Sequence, residues 1–232
     1  MNIGSVLYAH YIDSWGYDKF DHPESYGLAR EQFTHRNFES THFSLKLAGK
    51  TVNLKLKSAD NTTIGSWFIF SDSFYRQLPY PPPPRPNTTD FTSPQRNNIT
   101  SALQNNPTIL FLHGNTGTRA FSLRTVIYTA LTSRLNANIM VVDYRGFGDS
   151  EGYPSVGGVS MDARAGWDFL ISEGAKPEDV LIMGHSLGTA IAGLLAAELG
   201  REGIQPRGTV LMSVRLSFLF FPLKRDKIIS FV

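Results

Sequence analysis

An α/β fold built on a doubly wound, mostly parallel sheet is what this 232-residue sequence predicts. After Pro107 four short apolar runs recur, TILFLHG, NIMVVDYRG, VLIMGHS and GTVLMS, and continuously apolar strands belong to sheets covered on both faces. Helical patterns separate them, as the crossovers between parallel strands require. The right-handed crossover rule then leaves an open, doubly wound sheet as the main candidate.

The elements follow in order. Residues 1–50 are aromatic-rich and weakly periodic, with Tyr8, Tyr11, Trp15, Tyr17, Phe20 and Tyr26 among polar residues. They read as an irregular arm with a short helix around Glu24 to Phe33. From Val52, VNLKLK puts Val52, Leu54 and Leu56 on one face, and TIGSWFIF follows a turn at Asp60 and Asn61. This alternation predicts an antiparallel hairpin.

Residues 71–106 combine proline, asparagine and threonine with few core candidates, and read as an insertion in a domain spanning 51–213. The proline run Pro81–Pro86 fits a stiff surface linker best. An SH3-like partner is the alternative occupant, because polyproline II is prepaid in such a run.

Beyond the insertion, Leu123, Val126, Ile127, Ala130 and Leu131 have the spacing of a core-facing helix after the first parallel strand. Met161, Ala165 and Phe169 mark the next helix, with Ser160 as N-cap and Gly174 just past its end. Leu187, Ala190, Ile191, Leu194 and Leu195 repeat the five-position stripe after the third strand. The last residues, 214–232, read as a separate tail.

Composition narrows the function classes. Hydrophobic content of 41% suits a soluble globular chain with one core. The 22 basic residues nearly balance 20 acidic ones, which predicts no nucleic acid partner. The absence of cysteine excludes disulfides and thiolate metal sites. No run approaches the ~20 apolar residues of a bilayer span, so the chain as written is expected to be soluble and cytoplasmic. Neither metal nor cofactor is expected.

One motif carries chemistry most directly. Gly184, Ser186 and Gly188 form a GxSxG between a buried strand and a helix. A turn that sharp strains the serine backbone and needs glycine on both sides. Ser186 is therefore the candidate nucleophile, lifted above the sheet edge at a helix N-terminus that favours an oxyanion.

The loop His113–Gly117 ends the first parallel strand. It supplies one backbone oxyanion donor, at Asn115, and the residue after the nucleophile, Leu187, supplies the other. The same loop lacks the spacing of a phosphate-binding loop. In DYRGFGDSEG, Asp143 and Arg145 are expected to hold backbone turns through hydrogen bonds and a charge pair.

HGNTGT, DYRGFGDSEG and GHSLGTA, in this order, resemble the α/β-hydrolase fold family, in particular its membrane-associated monoacylglycerol and lysophosphatidylserine lipases. The segment LYAHYIDSWGYDKFDHPESYGLAREQ is similar to the preamble of fungal members of that branch. The resemblance implies a nucleophile at Ser186, oxyanion donors at Asn115 and Leu187, and a lipid acyl ester as substrate. It also implies an endoplasmic reticulum membrane location and peripheral membrane contact. Three N-x-[ST] sites, at Asn61, Asn87 and Asn98, fit a lumenal domain but are close to the number chance would give.

In this family the histidine base follows the nucleophile in the chain. Here His10, His22, His35, His42, His113 and His185 all precede Ser186. Asp226 is a weak candidate for the triad acid, and no acid or base is assigned. The resemblance ends after VLMS, so the expectation is a chain truncated at its C-terminal end, with the last strands of the sheet absent and feeble activity. A catalytically inactive binding module is the competing expectation.

Overall fold

The structure, a computed structural model, describes residue 47 and residues 49–79, 93–115, 117–212 and 228–231. Most of the N-terminal arm, the proline run, the tail residues around Asp226, Asn87 and the four N-terminal histidines lie outside the described residues.

Among the described residues seven strands form one sheet in the order β1-β2-β4-β3-β5-β6-β7. They are β1 (Thr51–Lys57), β2 (Thr63–Ile69), β3 (Thr108–Leu112), β4 (Asn138–Val142), β5 (Val180–His185), β6 (Gly208–Met212) and β7 (Ile228–Phe231). The hairpin β1–β2 is antiparallel and β2 joins β4 antiparallel. From β4 onward every neighbouring pair is parallel.

Five α-helices accompany the sheet among the described residues: α1 (Asp72–Tyr75), α2 (Ser93–Asn105), α3 (Ser122–Arg134), α4 (Val156–Ser172) and α5 (Leu187–Arg201). Every residue of β3 and β4 is buried, because each strand is covered on both faces. Leu110, Met140 and Ile182 face one apolar cluster, shared with Trp167 and Leu170 of α4 and Ile191 and Leu195 of α5. Their sequence neighbours Ile109, Phe111, Ile139 and Met183 face the other cluster, with Tyr128 of α3 and Trp67 of β2. Val52, Leu54 and Leu56 are buried as their alternation predicts.

Five expectations are corrected. The stretch 71–106 is not a structureless insertion, since it contains α1 and α2. Ile99, Ala102 and Leu103 of α2 enter the main core; three apolar residues among Ser, Asn, Gln and Thr make a stripe too narrow to stand out. The sheet also continues past VLMS, where Ile228–Phe231 pairs in parallel with β6.

The buried face of α3 is turned by about one residue from the expected stripe. Leu123 is 67% exposed and Val126 44%, whereas Arg124, Thr125, Tyr128 and Thr132 are buried. Polar partners cause the rotation: Arg124 reaches loop carbonyls, and the Thr132 hydroxyl accepts from Lys50 Nζ at 2.8 Å.

Helix α4 is capped by Ser155 rather than Ser160. The Ser155 hydroxyl accepts from the Gly158 N–H at 3.1 Å, and Ser160 instead donates to the Val156 carbonyl inside the helix. Its buried face is Val159, Asp162, Ala163, Gly166, Trp167 and Leu170; Met161, Ala165 and Phe169 flank it half-buried. Burying the Trp167 ring outweighs the narrower alternative stripe. Gly174, at φ +101°, follows the end of α4 as expected.

Candidate active site

Strand β5 delivers Ser186 to the N-terminus of α5 with φ 53° and ψ −117°. That conformation costs a non-glycine residue about 1–3 kcal/mol and persists only where its surroundings enforce it. Two anchors do so here. The Ser186 N–H donates to the Met212 carbonyl of β6 at 3.0 Å. The Ser186 carbonyl accepts from the Thr189 N–H at 2.9 Å and from the Thr189 hydroxyl at 2.7 Å.

Both flanking glycines are required by backbone contact. A β-carbon on Gly184 would lie 2.2 Å from the Gly188 carbonyl oxygen, and one on Gly188 would lie 1.9 Å from that of Leu112. The elbow is therefore pressed onto the end of β3. This closeness also brings the loop after β3 beside the serine: a β-carbon on Gly114 would lie 3.1 Å from Ser186 Cβ. Asn115 is the next residue. Leu187 is the first residue of α5, so its N–H has no intrahelical acceptor and remains available to a ligand.

Sequence reasoning missed the side chains beneath this loop. Arg124 is buried and donates from Nη1 to the Thr118 carbonyl at 2.6 Å and from Nη2 to the Gly114 carbonyl at 2.8 Å. Arg119 donates its backbone N–H to Asp143 Oδ1 at 2.6 Å and pairs through Nη1 with both Asp143 and Asp149. The TR and LR dipeptides around α3 are the signal that could have found them. A buried arginine beside a glycine-rich loop finds acceptors in the loop's free carbonyls.

Asp143 and Arg145 do hold turns, but they do not pair with each other. Asp143 serves Arg119 and lies 3.1 Å from His113 Nε2. Arg145 bridges Asp60 at 2.6 Å and the buried Asp162 at 2.9 Å. The Arg119 guanidinium and the His113 ring hold the Asp143 pKa below its ordinary value against the opposing effect of burial.

The histidines differ sharply in setting. His113 is fully buried, stacked on Tyr144 with ring centroids 4.4 Å apart. Its Nδ1 is 2.8 Å from the Gly114 carbonyl oxygen with hydrogen-bond alignment, whereas Nε2 does not align with Asp143 despite its proximity. Burial, helped by the Arg124 guanidinium, pushes the His113 pKa down. His185 precedes the serine and its Nδ1 lies 3.3 Å from where a Gly114 β-carbon would be. Burial and the same guanidinium lower its pKa. Neither ring hydrogen-bonds to Ser186.

Residues 109–231 match the Alpha/beta hydrolase family.

The chain belongs to the alpha/beta hydrolase family.

Within this hydrolase family, it is 42% identical over 107 residues to the lysophosphatidylserine lipase ABHD12 of Danio rerio, covering 46% of this chain and 28% of that protein. It is 34% identical over 164 residues to the Rattus norvegicus protein of the same name, covering 70% of this chain and 37% of that protein. The chain thus matches about a third of the length of these relatives. An alpha-beta hydrolase from Vibrio vulnificus superposes with a TM-score of 0.56 at 20% identity, over 79% of this chain and 52% of that one; the likeness is one of fold. Among the described residues no helix is long and apolar enough to cross a membrane.

Proposed function

We propose that this hydrolase-family chain carries the nucleophile and oxyanion hole of a serine esterase acting on lipid acyl esters, lysophospholipids or monoacylglycerols. The carrying observation is the backbone of Ser186, held at φ 53° by glycines that admit no β-carbon. A strained serine at a strand-to-helix turn has its hydroxyl exposed above the sheet edge.

Ser186 Oγ attacks the acyl carbon. The alkoxy group leaves with a proton, and the acyl-serine is then opened by water. The Asn115 and Leu187 amides bind the oxyanion that develops in both steps. Similarity to lysophosphatidylserine lipases supports a glycerolipid with a single acyl chain. A site of action at the endoplasmic reticulum membrane follows only from the motif resemblance to membrane-associated lipases, and cell fractionation tests it.

A second reading, a hydrolase-like module that binds lipid without turnover, is favoured by the histidines. Among the described residues His113 and His185 make no hydrogen bond to Ser186, and without a general base a serine hydroxyl is a poor nucleophile. A fluorophosphonate probe separates the two readings. Prompt labelling that vanishes in Ser186→Ala, together with release of fatty acid from lysophosphatidylserine, supports the esterase. A folded chain that resists labelling supports the binding module.

A further inference from the structure

Arg124 lies in the first turn of α3, yet its guanidinium is buried and spans two carbonyls of the loop before it. One of them is the Gly114 carbonyl, and this oxygen belongs to the same peptide group as the Asn115 N–H. A trans peptide is planar, and its C=O and N–H point in opposite directions. Whatever grips the Gly114 oxygen therefore sets the direction in which the Asn115 N–H points. That oxygen also has His113 Nδ1 2.8 Å away, so the grip has two points.

We propose that Arg124 is a positioning residue of the oxyanion hole, fixing the Gly114–Asn115 peptide so that the Asn115 N–H faces the nucleophile and polarising that peptide with its charge. The assignment rests on reading Asn115 as an oxyanion donor. Three features support it. The second contact, at the Thr118 carbonyl, ties Gly114 and Thr118 to the same planar guanidinium. The Arg124 charge reaches the elbow, since it helps to depress the neighbouring His185 pKa. Finally, the geometry needs an arginine: a planar fork spans two carbonyls, whereas a lysine ammonium is a single point charge.

The test uses the full chain and a signal independent of catalysis. The dipeptide Gly-Asn occurs once in the sequence, at 114–115. Labelling glycine with ¹³C at the carbonyl and asparagine with ¹⁵N therefore gives a single carbonyl-to-amide NMR cross-peak, from the peptide in question. In Arg124→Lys and Arg124→Met that peak should move on both the carbonyl and amide axes. Amide exchange with solvent should quicken at least ~10-fold. Hydrolysis of a short-chain p-nitrophenyl ester should lose about 10–100-fold in kcat with KM within ~3-fold, in the range expected for a misaimed donor.

A folded variant whose cross-peak stays in place overturns the proposal, whatever its activity. If neither variant folds, the wild-type chain still decides: a Gly114 carbonyl resonance at its random-coil position overturns the assignment, and a downfield one supports it. Wild-type protein inert to the fluorophosphonate, but with a cross-peak that shifts in the variants, defeats the esterase reading and leaves the role of Arg124 standing.

Discussion

Gly188 rests on Leu112 so closely that a β-carbon on the first would lie 1.9 Å from the carbonyl oxygen of the second. Backbone cannot rotate away as a side chain can, and the carbonyl of His113 closes the same space at 2.9 Å. Gly188→Ala must therefore push α5 off the end of β3. The expected cost is about 3 kcal/mol, the upper end of what overpacking a core produces, read as a lower urea midpoint. Probe labelling of Ser186 should fall with it, because the same shift withdraws the serine from the Gly114 loop.

Ser186 predicts the opposite sign. At φ 53° and ψ −117° a serine is strained, and glycine adopts that region freely. Ser186→Gly gains relief from the strain but loses part of it to the more flexible unfolded chain, for a net stabilisation of about 1 kcal/mol. Ser186→Ala keeps the β-carbon and the strain. Thermal unfolding of both variants checks this: the glycine variant should melt above the alanine variant although neither accepts the probe.

How far the sequence was legible follows from the same residues. The elbow was legible because its requirements are local: a strand, a tight turn with two glycines, a helix. The parallel strands were legible because burial on both faces writes a continuous apolar run, as in TILFL. Helix faces were less so. Arg124 and Thr132 are polar, yet they lie inside because partners distant in sequence receive them, Gly114 for the first and Lys50 for the second. A periodicity argument ranks such residues outward and turns the helix accordingly. Helix α2 was hidden for a related reason, since its core contacts rest on Ile99, Ala102 and Leu103 alone among buried apolar side chains. The positions proposed as oxyanion donors could be named from spacing, but the charged groups holding the loop after β3 could not, because they depend on distances that no spacing rule encodes.

Tyr128 tests whether burial there is apolar in character. Its ring meets Phe111 edge-on at 5.3 Å, and its hydroxyl is buried without a hydrogen-bond partner among the described residues. An unsatisfied buried hydroxyl costs more than the ring contact requires of it. Tyr128→Phe keeps the packing and deletes the orphan, so stability should rise by about 1 kcal/mol in urea unfolding. A loss of the same size would show that the hydroxyl has a bound water or another partner.

Acid should weaken the fold through His113. Its folded pKa lies below the ordinary 6.5, chiefly through burial and secondarily through Arg124, with Asp143 and the Gly114 carbonyl opposing. Because the unfolded chain binds the proton more readily, stability is full above pH ~6.5 and falls as pH drops from there toward the folded pKa. Asp143 acts in the same sense at lower pH. Its folded pKa is depressed from 3.8, so its contribution is present above that value and is lost on further acidification. Urea midpoints measured from pH 7.5 down to about pH 3 should therefore decline in the wild-type chain. In His113→Gln, which fills a similar space and does not titrate, the decline between pH 6.5 and pH 5 should flatten. The Asp143 limb below pH 4 should remain, because Arg119 still holds that carboxylate.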